Sequence, residues 1–422
     1  MKLGLIGKPL AHSKSPQIHK ALTGIEYSLW ELSPQDLRSF FEKKDFDGLN
    51  VTIPYKREVL KYLDDTDPLA REIGAVNTVV NRGGKLCGYN TDYEGLKKLI
   101  ASVDPDLKGR HAAILGTGGA ARAAAAAVRA FGGIPTAVSR TPGTADINCE
   151  VIGYEELYAA HDRFSILINA TPLGMTPDTK SLPADLEKLE ALRTVIDLVA
   201  DPLRTRLVFE AQQRGLKSAG GFKMLVAQAA ASEEIWTGRT FSAAEIESCE
   251  NSVRSDMQNI VLIGMPSSGK SSAGRLLAQQ LGRPFIDMDA ELEDRFGMDI
   301  PQIFSKLGEN VFRNAENLLS AELSAQKNAI IATGGGVIKD SGNIMHLASN
   351  GVVIWLNRKL SLLTCSSNTP LSSTAEAMEK LYKERLPLYK KYADTETDAN
   401  GSPQEAADAI KEVLRNIYGY RL

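Results

Sequence analysis

The stretch NIVLIGMPSSGKSS, residues 259–272, constrains this chain more than any other. An aliphatic run leads into a glycine-rich turn and then into a lysine and two serines, the order of a strand, a phosphate-cradling loop and the first turn of a helix. Such a loop sits between the first strand and first helix of its own domain, because the helix N-terminus supplies the partial positive charge that holds phosphate. A domain therefore begins near residue 258, and everything upstream forms a separate folding unit. Length agrees, since 422 residues exceed the roughly 250–300 at which a single core stops growing. Within the loop, Gly264 and Gly269 let backbone NH groups approach phosphate. Lys270 is placed for the β and γ groups, Ser271 for magnesium, and Ser272 in the helix's first turn.

Composition narrows the class. With 43% apolar residues, 24% charged residues and a formal net charge of -3, the chain reads as an ordinary globular protein and not as a nucleic-acid binder, although pockets for small anions leave no trace in net charge. Cys87, Cys149, Cys249 and Cys365 are too scattered for a CxxC metal site or a disulfide framework, which suits a reducing cytoplasm. MKLGLIG enters an apparent strand directly, and no stretch approaches the roughly 18 apolar residues of a membrane span. A cytoplasmic location is expected, without secretion or membrane insertion. Oligomeric state leaves no signal here.

The runs KLGLIG, GLNVTI, HAAILG, IPTAVSR, FSILINAT and RTVIDLV alternate with amphipathic stretches, which predicts α/β architecture with parallel sheets. A second glycine loop lies in ILGTGGAARAAAAAVRAFG, residues 114–132. Gly116, Gly118 and Gly119 permit a tight turn and close approach to a pyrophosphate, and Ala120 and the alanines after it let helix pack on sheet. The pattern alone equally serves a plain strand-to-helix turn. The following strand, TAVSR, ends at Arg140, where an acidic residue would bind an adenosine ribose. Arginine suits a 2'-phosphate and favours NADP over NAD, the alternative being an exposed arginine at a helix start. The polar, serine-rich stretch 241–258 reads as a linker, with helix possible in part of it.

Polar signatures crowd the first 98 residues: AHSKSPQIH, NVTIPYK, GAVNTVV and GYNTDYEG. Together with NATPLGM (169–175) and GGFKMLVAQAA...IWTG (220–238), they resemble shikimate dehydrogenase over about 240 residues. The resemblance implies a substrate lobe over about 1–98 plus 220–240 and a Rossmann NADP lobe over about 99–219. It implies Lys56 and Asp92 as the catalytic pair and shikimate contacts from Ser13, Ser15, Thr52, Asn77 and Gln228, with Asn169 and Thr171 of NATPLGM at the cofactor. Hydride transfer to a ketone requires such a pair, because charge developing on the oxygen must be stabilised and then protonated. Ala200, where the family usually has tyrosine, and Tyr93, where glycine is usual, depart from the pattern.

Downstream of the phosphate loop, FIDMDAEL, IFSKLGENVFRNAE, IIATGGGVI and KERLPLY resemble shikimate kinase across roughly 259–396, within a P-loop α/β domain over 259–422 with a parallel sheet. The resemblance assigns Asp289 to the shikimate hydroxyls and to activation of the attacking one, and Asp287 to the magnesium environment, directly or through water. Arg313 and Arg385 would take the substrate carboxylate, a task that suits bidentate guanidinium, and Gly334, Gly335 and Gly336 would line the pocket. The lid departs from the family: SLLTCSSNTPL is short and uncharged, with Thr369 before Pro370, which implies slow phosphoryl transfer, Arg358 or Lys359 being the nearby cations to compensate. The expected activities are NADPH-dependent reduction of 3-dehydroshikimate and ATP- and Mg2+-dependent phosphorylation of shikimate. The alternatives are a quinate-type dehydrogenase in the first half and a weakly active, ligand-binding kinase module in the second.

Overall fold

The computed structural model describes residues 1–11, 13–365 and 374–420. It divides into two compact units, Met1–Val253 and Arg254–Leu422. The first unit contains two sheets. The N-terminal one has the order Tyr27–Glu31, Leu3–Gly7, Gly48–Val51, Thr78–Arg82, Lys85–Tyr89, Asp65–Thr66. Leu3–Gly7 is parallel to both its neighbours, but Thr78–Arg82 is antiparallel to both of its own. This sheet is therefore mixed, its parallel pairs accompanied by antiparallel ones that the alternation of apolar runs does not announce. One of the two antiparallel pairs is a hairpin closed by the two-residue turn Gly83–Gly84, with φ of 62° and 92°, since a hairpin turn that matches the strand twist needs positive φ at both central positions.

The helix Phe222–Thr237 returns to this sheet from the far end of the unit. Trp236 Nε1 donates to Val79 O at 2.9 Å. Gly48 leaves room for the indole, because a Cβ there would fall 2.7 Å from it.

The second sheet has the order Lys217–Ala219, Thr194–Asp197, Phe164–Asn169, His111–Leu115, Ile134–Val138, Glu150–Ile152, and every pairing is parallel. Counted along the chain this is the 3-2-1-4-5-6 order of a dinucleotide-binding fold, whose ligands lie beyond the carboxyl ends of the central strands. The register sets Leu115 beside both Val138 and Asn169, so the glycine loop, Arg140 and Thr171 emerge at one edge. Along Gly119–Ala130 the alanines 121, 123, 124, 125 and 127 are buried in one cluster with Ile114, Ile166 and Ile168. Small side chains there bring the helix close to the sheet.

The second unit holds a five-stranded sheet, Phe285–Asp287, Ile330–Ala332, Asn259–Ile263, Gly351–Asn357, Thr395–Asp398, parallel throughout. Asn259–Ile263 is central and fully buried. Ala332 pairs with both Leu262 and Asp287, which brings the phosphate loop, the glycine turn after Ala332 and the Asp287–Asp289 segment to the same carboxyl edge.

The stretch 241–258, read above as a linker with some helix, is helical over Ala243–Met257, and the division between units falls inside that helix. Two local causes explain it. Ser242 and Glu245 form reciprocal bonds, Ser242 N to Glu245 Oε2 at 2.9 Å and Glu245 N to Ser242 Oγ at 3.3 Å, which is a capping box. Ile246, Cys249, Val253 and Met257 recur at helical spacing and are all buried. No helix among the described residues is long and apolar enough to cross a membrane.

Candidate active sites

In the first unit, Lys56 follows the strand Gly48–Val51 and Asp92 opens the helix Asp92–Val103. Lys56 Nζ lies 2.5 Å from Asp92 Oδ2, with the carboxylate buried and the lysine side chain 20% exposed. The other carboxylate oxygen accepts from Asn77 Nδ2 at 2.9 Å. Asn77 in turn reaches Gln228 Oε1 at 3.3 Å, so Lys56, Asp92, Asn77 and Gln228, from four separate parts of the sequence, form one cluster. Thr52 shares the loop that leads to Lys56, and Thr52 N donates to Ile6 O at 2.9 Å. Ser13 and Ser15 stand at the start of the helix Ser15–Thr23, where Ser15 N donates to Ser13 Oγ at 3.3 Å.

The glycine loop meets this cluster. A Cβ at Gly119 would lie 3.6 Å from Lys56 Cδ, whereas no atom of the described residues stands within 4 Å of the Cβ position of Gly118. Gly116 has φ 108°, a conformation that suits glycine, and Ala120 sits in the first turn of the helix. Asn169 is fully buried and shapes the neighbouring loop: its Oδ1 accepts from Thr171 N at 3.0 Å and Thr171 Oγ1 at 2.7 Å, and its Nδ2 donates to Leu173 O at 3.2 Å. Arg140 is exposed beyond the strand end. Tyr93 is half-buried against the core of this lobe, and Ala200 is half-buried.

Sequence reasoning missed Asp197. It accepts from Asn169 Nδ2 at 2.9 Å, Val199 N at 3.0 Å and Thr205 Oγ1 at 2.6 Å, and burial pushes its carboxyl up to about 6. It anchors the asparagine that shapes the loop. Its place at the end of RTVIDLV, a buried strand, was the available signal.

In the second unit a cavity of about 480 Å³ opens over the phosphate loop. Gly264 and Gly269 have φ of 153° and 92°, and Ser267, at 62°, also adopts a left-handed conformation. The helix begins at Lys270, and Gly269, Lys270, Ser271 and Ser272 line the cavity. Lys270 Nζ donates to the carbonyls of Gly264 and Met265 at 3.0 and 2.9 Å. Burial pulls its ammonium down to about 8, against the opposing pull of the Asp289 and Asp287 carboxylates.

Asp289, Arg313, Gly334, Gly335, Gly336 and Arg385 all reach the same cavity. Burial raises the carboxyl of Asp289 to about 6, although Lys270 favours its charged form. The glycine turn is needed for close approach: a Cβ at Gly334 would sit 2.5 Å from Asp289 Oδ1, and one at Gly336 would sit 2.7 Å from Arg313 Nη1. Arg385 is buried and donates from Nη1 to Gly335 O at 2.8 Å, a carbonyl that Tyr389 OH also reaches at 2.9 Å. Its Nε is buried with no hydrogen-bond partner among the described residues.

Asp287 Oδ1 accepts from Asp289 N at 3.2 Å and caps the helix Met288–Phe296. One of its oxygens is thus already engaged. Glu316 was not singled out from sequence, yet it holds Arg313 Nη1 at 2.8 Å and is itself buried. Its position three residues after Arg313 on one helix was the legible sign. Thr369 and Pro370 of the short lid lie outside the described residues. Arg358, expected as a compensating cation, is committed to backbone instead, donating from Nη1 to Ala399 O at 2.7 Å and from Nε to Leu362 O at 3.3 Å. Lys359 is exposed.

Comparison with known proteins finds relatives for both units. Family models match for the shikimate dehydrogenase substrate binding domain over residues 5–79, the shikimate 5'-dehydrogenase C-terminal domain over 221–248 and shikimate kinase over 266–415. The NADP(+) shikimate dehydrogenase of Symbiobacterium thermophilum is 41% identical over 261 residues, covering 56% of this chain and 89% of that protein. A chorismate mutase/shikimate 5-dehydrogenase fusion protein from Clostridium acetobutylicum superposes with a TM-score of 0.55 at 37% identity, covering 59% of this chain and 95% of that one. Shikimate 5-dehydrogenase from Thermus thermophilus, in complex with NADP(H) and shikimate, gives 0.54 at 33% identity, covering 59% and 98%. The chain belongs to the shikimate dehydrogenase family through its first unit and joins to it a shikimate kinase domain, two enzymes of shikimate metabolism in one polypeptide.

Proposed function

We propose that the first unit reduces 3-dehydroshikimate to shikimate with NADPH and that the second phosphorylates shikimate with ATP, so that the product of one reaction is the substrate of the next. The observation that supports the first step most directly is the 2.5 Å Lys56–Asp92 pair set against the glycine loop at Gly119. The open space at Gly118, the positive φ of Gly116 and the helix N-terminus at Gly119 fit a dinucleotide pyrophosphate. NADPH, when bound, supplies the hydride. Lys56 then stabilises the charge developing on the carbonyl oxygen and donates the proton to it, while Asp92 holds the ammonium in place. Ser13, Ser15, Thr52, Asn77 and Gln228 offer the hydroxyl and amide groups that read a polyhydroxylated ring.

In the second unit the left-handed turns of the loop and the helix starting at Lys270 fit nucleotide phosphates. Ser271 and the free oxygen of Asp287 are hard oxygen donors of the kind magnesium prefers, directly or through water. Magnesium, when bound, offsets phosphate charge. Asp289 takes the proton of the attacking hydroxyl, Lys270 stabilises charge on the transferred group, and Arg313 and Arg385 bind the substrate carboxylate. All four cysteines are free, which supports a cytoplasmic setting.

A coupled assay of the whole chain with 3-dehydroshikimate, NADPH and ATP tests both steps. NADPH oxidation with formation of ADP and shikimate 3-phosphate is expected, whereas accumulation of shikimate would show that the kinase step fails. Lys56→Ala should slow NADPH oxidation about 10²- to 10⁴-fold while leaving NADPH binding intact. A folded variant within a few-fold of the parent would refute the role of Lys56.

A further inference from the structure

Behind Asp92 lies a buried cluster that the catalytic scheme does not use. Three hydroxyl oxygens, from Thr78, Thr91 and Ser232, stand 2.8 to 3.1 Å from one another, and all three residues are buried. Thr78 is on a strand of the first sheet, Thr91 immediately precedes the helix that Asp92 opens, and Ser232 is on the returning helix Phe222–Thr237. Asn50 Nδ2 donates to Ser232 Oγ at 2.9 Å. Tyr27 OH occupies Asn50 Oδ1 at 2.7 Å, so the amide of Asn50 is held with its NH2 toward the hydroxyls.

Each hydroxyl has one proton and two lone pairs, and this limits the arrangements open to the cluster. Ser232 spends its proton on Gln228 O, one helical turn earlier, at 3.0 Å. It is left an acceptor for Asn50 Nδ2 and for one hydroxyl, and with the Thr78 proton on Asn77 Oδ1 at 3.2 Å that hydroxyl is Thr91 Oγ1 at 3.0 Å. With its proton drawn to Ser232, Thr91 turns a lone pair to Asn77 Nδ2 at 3.0 Å. Thr91 N holds the opposite end of the same amide, donating to Asn77 Oδ1 at 2.7 Å. Asn77 Nδ2 then donates to Asp92 Oδ1, which leaves Oδ2 for Lys56. Without Ser232 the Thr91 proton is left to three acceptors, Thr78 Oγ1 at 3.1 Å, Asn77 Oδ1 at 3.2 Å and Gln228 Oε1 at 3.4 Å. The last two disturb an amide of the cluster around Asp92, and the first draws on a hydroxyl that itself lies 3.2 Å from Asn77 Oδ1.

We infer that Ser232 is a positioning residue for ketone reduction: through Thr91 and Asn77 it fixes the Asp92 carboxylate, and so the aim of the Lys56 ammonium. The inference rests on the assignment of Lys56 and Asp92 made above. It gives the returning helix a task beyond packing, because a side chain more than 130 residues along the chain from Asp92 sets the orientation of that carboxylate.

The test uses the full chain and compares Ser232→Ala, Thr91→Val, their double variant, Ala230→Gly and Lys56→Ala. Small misalignments of a reacting pair cost rate steeply, so Ser232→Ala should lower kcat for 3-dehydroshikimate about tenfold while KM for NADPH stays within about twofold. Thr91→Val breaks the same chain of bonds, so the double variant should fall little further than the worse single one. Ala230→Gly weakens the same helix without touching the hydroxyls, and it should lower Tm with kcat preserved. The inference is overturned if Ser232→Ala keeps parental kcat, if the two single effects multiply in the double variant, or if Ala230→Gly loses kcat equally. Parental activity in Lys56→Ala would instead overturn the underlying assignment, which separates the two failures.

Discussion

The carboxyl of Asp289 and the ammonium of Lys270 illustrate what burial does to a pair of opposite charges at one cavity. Desolvation disfavours the charged form of each, lifting Asp289 to about 6 and lowering Lys270 to about 8. A base raised to that range works only when ionised and an ammonium only when protonated, so the signs follow directly: kinase kcat should fall as pH drops through about 6 and fall again as it rises past about 8. Asp289→Asn should abolish the acid limb and cost about 10²- to 10⁴-fold in rate. A flat profile in the parent chain from about pH 5 to 8 would remove Asp289 as the base.

Arg140 is a second residue-scale case, exposed at the end of Ile134–Val138 beside the cofactor strand. If it pairs with a 2'-phosphate, Arg140→Ser should weaken NADPH binding by about 1.5–3 kcal/mol and leave NADH almost unaffected. Comparing kcat/KM for the two cofactors decides the matter, and an unchanged ratio rules the pairing out. Residues such as Lys56, Asp92 and Lys270 were legible because each sits inside a short motif whose neighbours announce it. Ser232, Asp197 and Glu316 were not, because their roles come from contacts with residues distant in sequence or with a side chain whose direction only the fold defines.

At the scale of elements, Asp104 shows how one carboxylate ties three segments together. It follows the helix Asp92–Val103 and accepts from Arg110 Nη1 at 2.7 Å, Thr194 Oγ1 at 2.5 Å and Lys217 Nζ at 2.9 Å. Burial would raise its carboxyl, but the bonds from Thr194, Lys217 and Arg110 prevail and hold it down at about 2. A depressed carboxylate stabilises the fold above its unfolded value, near 3.9, and that contribution fades as pH falls toward about 2. Asp104→Asn should therefore destabilise the first unit by about 1.5–3 kcal/mol at neutral pH, with the gap to the parent narrowing below about pH 4. A pH-independent difference in Tm would show that packing, and not charge, is what Asp104 supplies. Strands were the most legible elements, since each aliphatic run in the sequence became one. The hairpin of the first sheet was recorded only in the glycine pair 83–84, and the helix Ala243–Met257 only in its Ser242–Glu245 cap and spaced apolar residues, which a serine-rich composition obscured.

For the whole molecule, the helix Ala243–Met257 changes where the chain can be divided. Its earlier part belongs with the first unit, where Cys249 Sγ lies 3.7 Å from Ile18 O and Ile246 and Val253 are buried. Its last turn belongs with the second, where Arg283 donates from Nη2 to Ser255 O at 2.9 Å and from Nη1 to Gln258 O at 3.1 Å. Tyr420 OH reaches Gln258 Oε1 at 2.6 Å, and the Arg283 guanidinium lies over the Tyr420 ring. A cut at 240 strips the first unit of that buried stripe, and a start at 259 strips the second of the partners of Arg283 and Tyr420. Fragments 1–257 and 254–422 should therefore melt higher than 1–240 and 259–422, by several degrees in each pair, since about 1 kcal/mol moves Tm by roughly 2–4 °C at this size. Thermal unfolding of the four fragments checks this. Equal Tm within each pair would mean that the helix is a spacer, as its composition first suggested, while a difference confined to one pair would assign it to that unit alone.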